Sequence, residues 1–189
     1  CYKTALCDPA FLSSHPSQES LAVQASCLKG QGSGSFPMAP SDRESKKMEQ
    51  TAKKVFSSGS MALKSLNAVC LLGRYVHALL KSAQSVIHHL SEEAKSDYRE
   101  LIVDEQCAAQ QVIQAGLDTA DSVAMSMGNS VMMRKQAWLR GSGFSPDVQS
   151  TLLDLPFDGA KRFGDKADSA LERFKDSRAT ANSLGLQTG

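Results

Sequence analysis

The chain contains eighty consecutive residues without a proline, Ser60 to Leu139, and apolar residues recur in them every three or four positions. This spacing is typical of α-helices that bury one face. Steps of three and four define one seam over about three and a half heptads and a second seam after it. The pattern predicts an all-α fold whose seams run through Leu66, Val69, Gly73, Val76, Leu80, Ala83, Ile87 and Leu90, and through Ile113, Leu117, Ala120, Ala124, Met127 and Val131.

A helix boundary is expected between the two seams. Ser91 precedes Glu92 and Glu93, so a capping hydroxyl and two carboxylates lie where a new helix exposes free N–H groups and the positive end of its dipole. The pair His88–His89 suits the negative end of the preceding helix. The corner of a helical hairpin is therefore predicted near Leu90 and Ser91, and a second arm reaching residue 139 would extend on the order of 70 Å.

Small residues are frequent along the predicted apolar faces. They let helix backbones approach closely but supply little apolar area, and at roughly 25 cal/mol per Å² a two-helix rod gains too little to offset its ordering entropy. A tight bundle with the C-terminal segment of the same chain is one remedy. We favour a second copy of the chain, which makes the rod a homodimer. The small residues are Gly73, Ala83, Ala108, Ala109, Ala115, Gly116, Ala120, Ala124 and Gly128.

Composition excludes several classes of function. The 189 residues are 41% hydrophobic but only 6% aromatic, which argues against a compact enzyme built round a deep pocket. Lys and Arg number 21 against 20 Asp and Glu, so no global basic field is present to hold nucleic acid. No apolar run reaches the roughly 20 residues that span a bilayer. Neither a membrane nor a small-molecule substrate is an expected partner.

The five cysteines show neither CxxC nor Cys/His ligand spacing. This pattern fits a reducing interior better than a disulfide framework. We interpret Cys70 and Cys107, one on each arm, as small buried hydrophobic residues, with a reactive thiol as the alternative. The chain begins with Cys1, as a fragment would.

Proline, glycine and serine residues divide the chain into three parts. Residues 1–40 contain four of the six prolines and a Gly/Ser run, and we interpret them as a disordered leader or linker. Residues 41–140 form the predicted dimerisation rod, beginning with a short helix from Ser41 to Phe56 that Ser57–Ser60 would interrupt. Residues 141–189 form a C-terminal segment docked on the rod, with helices predicted over Asp147–Leu155 and Asp165–Asn182.

Catalytic signatures do not occur in the sequence. It contains no HExxH, GxSxG, P-loop or dinucleotide-binding pattern, and adjacent His88 and His89 point about 100° apart on a helix, which makes them poor joint metal ligands. The paired acids are interpreted as solvated faces or helix-start charges. We therefore expect a protein that is not an enzyme and holds no cofactor or metal.

Two segments stand out as candidate contact sites. The first surrounds the only tryptophan and contains Met133, Arg134 and Trp138, residue types that are enriched in protein interfaces. The same residues could equally pin the end of the rod against the C-terminal segment. The second is an apolar cluster around Leu155, Phe157 and Phe163, which either docks the tail or anchors another protein. A charge-mixed helix follows and adds Arg173 and Phe174 as candidate contacts, although such a helix is more often a solvated face.

Long stretches of the chain resemble a known family. The segment Ser60–Leu80, the Leu-Pro-Phe-Asp-Gly motif at 155–159 and the ending at 176–186 are similar to the carboxy-terminal domain of the alpha-isoform lamina-associated polypeptide two family (thymopoietin). The similarity covers residues 41–189. The Leu-Pro-Phe-Asp-Gly element is also similar to gag-like proteins of tyrosine-recombinase retroelements.

This resemblance implies a non-enzymatic nuclear scaffold. Members of the family are nucleoplasmic, homodimerise as an antiparallel four-helix coiled coil, bind A-type lamins, and take part in binding the retinoblastoma protein and chromatin. The amino-terminal LEM domains of the family are absent from this sequence. A Leu-x-Cys-x-Glu motif is also absent, so the resemblance assigns no residues to a retinoblastoma contact.

A second hypothesis belongs to a different class. A nucleic-acid-binding or capsid-like assembly module derived from a retroelement gag protein would contact phosphates through local cations, and its binding would weaken steeply with salt. The candidate cations are Lys46, Lys47, Lys53, Lys54, Arg134, Lys135 and Arg140.

Overall fold

The computed structural model describes residues 10–17, 40, 42–140, 142–156, 163 and 166–183. Of these residues, 88% are helical and none lies in a strand, which confirms the all-α fold class. The helices in chain order are α1 (Ala10–Ser13), α2 (Arg43–Ala83), a 3₁₀ helix (Gln84–His89), α3 (Glu92–Leu139), α4 (Pro146–Asp154) and α5 (Lys166–Ser183). Most of the predicted leader, with Phe157 and the ending after 183, lies outside the described residues.

The chain divides into two compact units. The first, which we call the hairpin unit, comprises residues 58–125. The second unit comprises the described residues among 9–57 and 126–189. Each unit is described separately below.

The corner of the hairpin unit lies where the sequence predicts it. The 3₁₀ helix ends at Leu90, whose backbone is extended and whose N–H donates to the carbonyl of Ile87 at 3.1 Å. The first turn of α3 is closed on the carbonyl of Ser91, which accepts from the N–H groups of Ala94 and Lys95 at 3.1 and 3.0 Å. The turn therefore forms without glycine or proline because a tightened last turn satisfies the carbonyls at the end of the first arm.

The predicted interruption at Ser57–Ser60 is wrong, since α2 runs without a break from Arg43 to Ala83. Serine and glycine cost helix propensity, about 1 kcal/mol for glycine relative to alanine, but tertiary packing overrides a penalty of that size. Ser60 is buried and Gly59 half-buried, so these small residues lie where the helix packs against other parts of the protein. The N-terminal cap of α2 is Asp42, whose Oδ1 accepts from the N–H of Ser45 at 2.8 Å; Ser41 lies outside the described residues.

The two arms of the hairpin unit meet along small residues. A methyl group built on Gly73 would lie 2.9 Å from Cγ1 of Ile113, and one built on Gly116 would lie 2.6 Å from Sγ of Cys70. The Cys70 thiol also donates to the carbonyl of Ile113 at 3.9 Å. These contacts bring the backbones of α2 and α3 too close for a larger residue at either glycine.

The second unit has a buried ion pair and a separate apolar cluster. Nε of Arg134 donates to Oε1 of Glu49 at 3.2 Å, and both side chains are almost completely buried. The apolar cluster joins the end of α3 to α4 and α5 through Trp138, Leu139, Leu152, Phe163 and Ala167.

The C-terminal helices begin and end close to their predicted bounds. Helix α4 is observed over Pro146–Asp154 and α5 over Lys166–Ser183, each within one residue of the prediction at both ends. Proline in the first turn of α4 suits a position whose N–H has no intrahelical acceptor.

One helical stretch, Arg43–His89, is long and apolar enough to cross a membrane by length and composition, with a window of mean hydropathy 1.3 that is 17% buried. A single such stretch in the described part of the chain is weak evidence for a membrane span, because the core helix of a soluble protein passes the same test.

Candidate functional site

The hairpin unit carries two contrasting exposed faces, which follow from the heptad repeat of its seam. From Leu66 to Ile87, most half-buried and buried positions recur in steps of four and three, with Ala68 and Ala83 outside the series, and those of α3 follow the same rule. We denote these inward positions a and d. They are Leu66, Cys70, Gly73, His77 and Leu80 in α2, Ile87 in the 3₁₀ helix, and Ile102, Gln106, Ala109, Ile113, Gly116, Ala120 and Val123 in α3.

Positions c and g lie beside the seam on one side, and positions b and e lie beside it on the other. An antiparallel pair of helices has an approximate two-fold axis perpendicular to the plane that contains both helices. Rotation about this axis exchanges the helices and leaves each face of the pair on its own side, so the c and g positions of both arms lie on the same side of the hairpin. We call this the c/g face. Its residues are Val69, Leu72, Val76, Leu79 and Ala83 of α2, Val86 of the 3₁₀ helix, and Tyr98, Leu101, Glu105, Ala108, Val112 and Ala115 of α3.

The c/g face is apolar and exposed. Eight of its side chains are large hydrophobic groups that are 43–61% accessible, from Val69 and Val76 at 43% to Leu72 at 61%. Glu105 is its single charged residue. Together the eight side chains present roughly 700 Å² of accessible surface, close to the ~800 Å² per partner that a specific protein interface buries.

The opposite b/e face has a different character. Its exposed large hydrophobic side chains are only three, Leu71, Val103 and Leu117. They are interspersed with exposed charged residues such as Arg74 and Lys81. A face with a single charge beside a face with several indicates that the c/g face is the better suited of the two to contact another apolar surface.

The predicted seam residues distribute over the seam and both faces. Gly73, Ile87, Met127 and Val131 are buried, and Leu66, Leu80, Ala83, Leu90, Ile113 and Ala120 are half-buried. Val69 and Val76 are exposed on the c/g face. Leu117 and Ala124 are also exposed, but they occupy position e and lie away from that face.

The prediction missed six of the large hydrophobic residues of the c/g face. The signal that could have found them is a second set of three- and four-residue steps, 69, 72, 76, 79 and 86, that is offset by one position from the seam. Two adjacent stripes of this kind are typical of helices that contact two neighbours in a four-helix bundle. The missed residues are Leu72, Leu79, Val86, Tyr98, Leu101 and Val112.

Residues predicted to bind partners are mostly engaged within the second unit. Arg134 and Trp138 are 1% and 3% exposed, and Phe163 is 1% exposed, so these side chains pack inside the chain. Burial favours the interpretation that the tryptophan segment pins the C-terminal helices. Lys135 supports it, since its Nζ donates to the carbonyl of Leu155 at 2.5 Å and lies 6.0 Å from the ring centroid of Phe163.

The remaining predicted contacts are more accessible. Arg173 is exposed, while Met133, Leu155 and Phe174 are half-buried. Phe157 lies outside the described residues. Arg173 is therefore the member of the predicted set with the most surface available to a partner.

Chemical groups do not converge in the described part of the chain. No group of three or more His, Cys, Asp or Glu side chains there has the geometry to hold a metal ion. A cavity of about 290 Å³ near the hairpin corner is lined by Gln84, Ile87, His88, Arg99 and Val103. Of the two cysteines described, Cys70 is half-buried in the seam and Cys107 is exposed, which differs from the expectation that both are buried.

The chain matches no protein-family model, no curated protein and no solved structure.

Proposed function

We propose that this chain is a non-enzymatic nuclear scaffold that homodimerises through a four-helix coiled coil and binds A-type lamins in the nucleoplasm. Roles in binding the retinoblastoma protein and in chromatin association belong to the same proposal. The single observation that supports self-association is the c/g face, an apolar surface of interface size on a two-helix unit whose own seam is made of small residues.

The physical reason for a second copy is the weakness of the hairpin seam. Glycine and alanine at Gly73, Ala109 and Gly116 bring α2 and α3 together but remove little apolar area from water. Burial of apolar surface contributes roughly 25 cal/mol per Å², so burying the large exposed side chains of the c/g face would add more stability than the small residues of the seam supply. A second hairpin is chemically matched to this face, because both surfaces are apolar and nearly free of charge.

The nuclear partners are inferred from the resemblance described above. The exposed, charge-mixed surface of α5, with Arg173 and Glu172, is the part of the C-terminal segment most suited to the charged surface of a coiled-coil filament such as a lamin.

Sedimentation equilibrium of the full chain at micromolar concentration tests self-association directly. We expect a dimer, and a stable compact monomer would refute the proposed function. Capture of a purified A-type lamin tail by the immobilised chain, in the absence of DNA, tests the partner. Substitution of Arg173 by Glu should reduce that capture, whereas the same change at Arg43, an exposed cation of the second unit, serves as the matched control.

A nucleic-acid-binding module derived from a retroelement gag protein is the second candidate. The observation in its favour is that Lys46, Lys47 and Lys54 are exposed along the first turns of α2. Against it, Arg134 and Lys135 are buried and engaged within the chain, so two of the predicted phosphate contacts are unavailable. DNA retention that falls steeply between 50 and 200 mM salt would favour this candidate, because phosphate contacts release counterions.

A further inference from the structure

We propose that two copies pack c/g face against c/g face with their hairpin corners at the same end, so that α2 of each copy lies on α3 of the other. This inference rests on the proposed homodimer and specifies its partner surface and orientation. It follows from the register of the hairpin and from the sizes of the residues at each level of the face.

The register of the hairpin is fixed by contacts across its seam. Gly73 approaches Ile113, Cys70 approaches Gly116, and Nε2 of Gln84 donates to Oε1 of Gln106 at 3.2 Å. Since α2 and α3 are antiparallel, this register places residues of the c/g face at matched levels. Leu72 is level with Ala115, Val76 with Val112, and Leu79 with Ala108.

Residue size differs systematically between the two arms. In the middle of the face, α2 presents leucine at both c positions, while α3 presents alanine at the matched levels. The middle of the face therefore has a ridge along α2 and a shallow channel along α3, whereas near the corner α3 presents the larger side chains, Tyr98 and Leu101. Two such faces fit together when the ridge of one copy lies in the channel of the other.

Only one of the two symmetric arrangements meets this condition. A two-fold axis parallel to the helices keeps the levels of the two copies aligned and places α2 over α3 of the second copy. Leu79 then packs against Ala108 of the second copy, and Leu72 against its Ala115. Every helix still has antiparallel neighbours, as a four-helix antiparallel bundle requires.

The other arrangement, with the corners at opposite ends, is poorly packed. It places α2 on α2 and α3 on α3, so leucine meets leucine along one side and alanine meets alanine along the other. One pair of helices would be forced apart while the other left voids, and packed interiors tolerate neither. The single charge of the face agrees with the arrangement that has both corners at the same end, which we call corner-to-corner. Glu105 is then opposite the small Ala83 of the second copy, where its carboxylate can reach solvent.

Disulfide trapping between differently tagged copies tests the orientation. Both versions of the full chain carry alanine in place of all five native cysteines; one adds L79C and the other adds A108C. Co-expressed and mildly oxidised, they should form a mixed-tag disulfide. Each version alone should stay uncrosslinked, since neither position faces its own counterpart. A version with L117C, on the b/e face, replaces A108C as the matched control and should not crosslink to L79C.

The outcomes separate this inference from the proposed function. Sedimentation equilibrium on the cysteine-free chain establishes whether dimers are present. Dimers in which L79C crosslinks only to L79C, or in which no mixed-tag disulfide forms, overturn the corner-to-corner orientation while the scaffold proposal stands. A monomer at micromolar concentration, in both the cysteine-free and the native chain, overturns both.

Discussion

Gly73 and Gly116 set the distance between the arms of the hairpin unit. Built methyl groups at these positions would meet Ile113 and Cys70 at 2.9 and 2.6 Å, whereas one at Gly128 meets nothing within 4 Å. All three glycines lie inside long helices, where alanine is intrinsically better by about 1 kcal/mol. The cost of that substitution is therefore decided by the surroundings of each glycine.

Gly73→Ala should destabilise the chain, by about 1–3 kcal/mol in excess of the helix-propensity gain, because Ile113 contacts it through a carbon near the backbone and cannot swing away. Gly128→Ala is the matched control and should stabilise the chain by up to ~1 kcal/mol. Thermal unfolding followed by circular dichroism at a fixed protein concentration measures both changes. Equal stabilisation by the two substitutions would show that the arms are not in close contact at Gly73.

The ion pair between Glu49 and Arg134 is the most costly polar contact to break in the second unit. Both side chains are at most 4% exposed, and the same oxygen of Glu49 also lies 3.5 Å from Nζ of the half-buried Lys53. Arg134→Met leaves the buried Glu49 carboxylate with Lys53 as an ion-pair partner, so it should cost up to about 3 kcal/mol, and the double variant with Glu49→Met should recover much of that loss.

An exposed pair provides the contrast for this prediction. Arg140 and Glu44 are 3.4 Å apart but 62% and 83% exposed, so Glu44→Gln should change stability by less than ~1 kcal/mol. Chemical denaturation of the three variants tests the two pairs together. A small effect of Arg134→Met, equal to that of Glu44→Gln, would contradict the burial of the pair.

At the scale of the helices, the cap of α2 makes its stability depend on pH. The nearby Ser45 side chain and the Ser45 backbone N–H, which donates to Oδ1 at 2.8 Å, hold the pKa of the Asp42 carboxyl below its usual value of 3.8. A carboxyl with a lowered folded-state pKa contributes stability that is fully present above the unfolded-state value and is lost as the pH falls through the folded-state value.

Asp42→Asn should keep the cap but remove this part of the acid sensitivity, since asparagine caps helices as well as aspartate does and does not titrate. Helicity measured from pH 6 to pH 2 should fall less steeply for this variant than for the unsubstituted chain. Asp147→Asn, in the first turn of α4, is the control for removal of an acidic group. Identical acid profiles for the Asp42 variant and the unsubstituted chain would exclude the cap as a source of the dependence.

The helices also show which features a single sequence can predict. The corner before Ser91 was predictable because a serine and two glutamates form a strong local start signal. The unbroken passage of α2 through Ser57–Ser60 was not, because weak local propensity there is overridden by contacts that residues distant in sequence supply. Little of the c/g face was predictable, because Val69 and Val76 fall equally well on a seam or beside it until the register with α3 is known.

The distinction between the two faces gives a direct test at this scale. Leu79→Asp, on the c/g face, should weaken dimerisation at least 100-fold, because each copy would bury an unpaired carboxylate. Leu117→Asp, on the b/e face and similarly exposed at 52% against 51%, should leave the dimer intact. Sedimentation equilibrium of both variants decides between the faces, and the reverse ranking would assign the interface to the b/e face.

At the scale of the whole molecule, the C-terminal helices depend on a small apolar cluster. Leu152 is fully buried there with Trp138 and Phe163, whereas Leu153 beside it is only half-buried. Trp138, which the sequence analysis named as a candidate contact for other proteins, is buried within the chain. Its fluorescence therefore measures how tightly this cluster is packed.

Leu152→Ala should cost about 2–5 kcal/mol and shift the fluorescence of Trp138 to the red, because the cavity loosens α4 from α3. Leu153→Ala, which deletes the same atoms from a half-buried site, should have a smaller effect on both measurements. An unchanged emission spectrum for Leu152→Ala would mean that the cluster does not hold the tryptophan.

In the proposed dimer, the c/g face makes the stability of this chain sensitive to dilution. A unit that completes its apolar core with another copy has a stability tied to its own concentration, and its unfolding temperature should rise with each tenfold increase in protein. Below the dissociation constant, each copy presents a continuous apolar surface of the kind that aggregates or engages chaperones. Cells would then contain a long-lived dimer and a short-lived monomer that quality control removes.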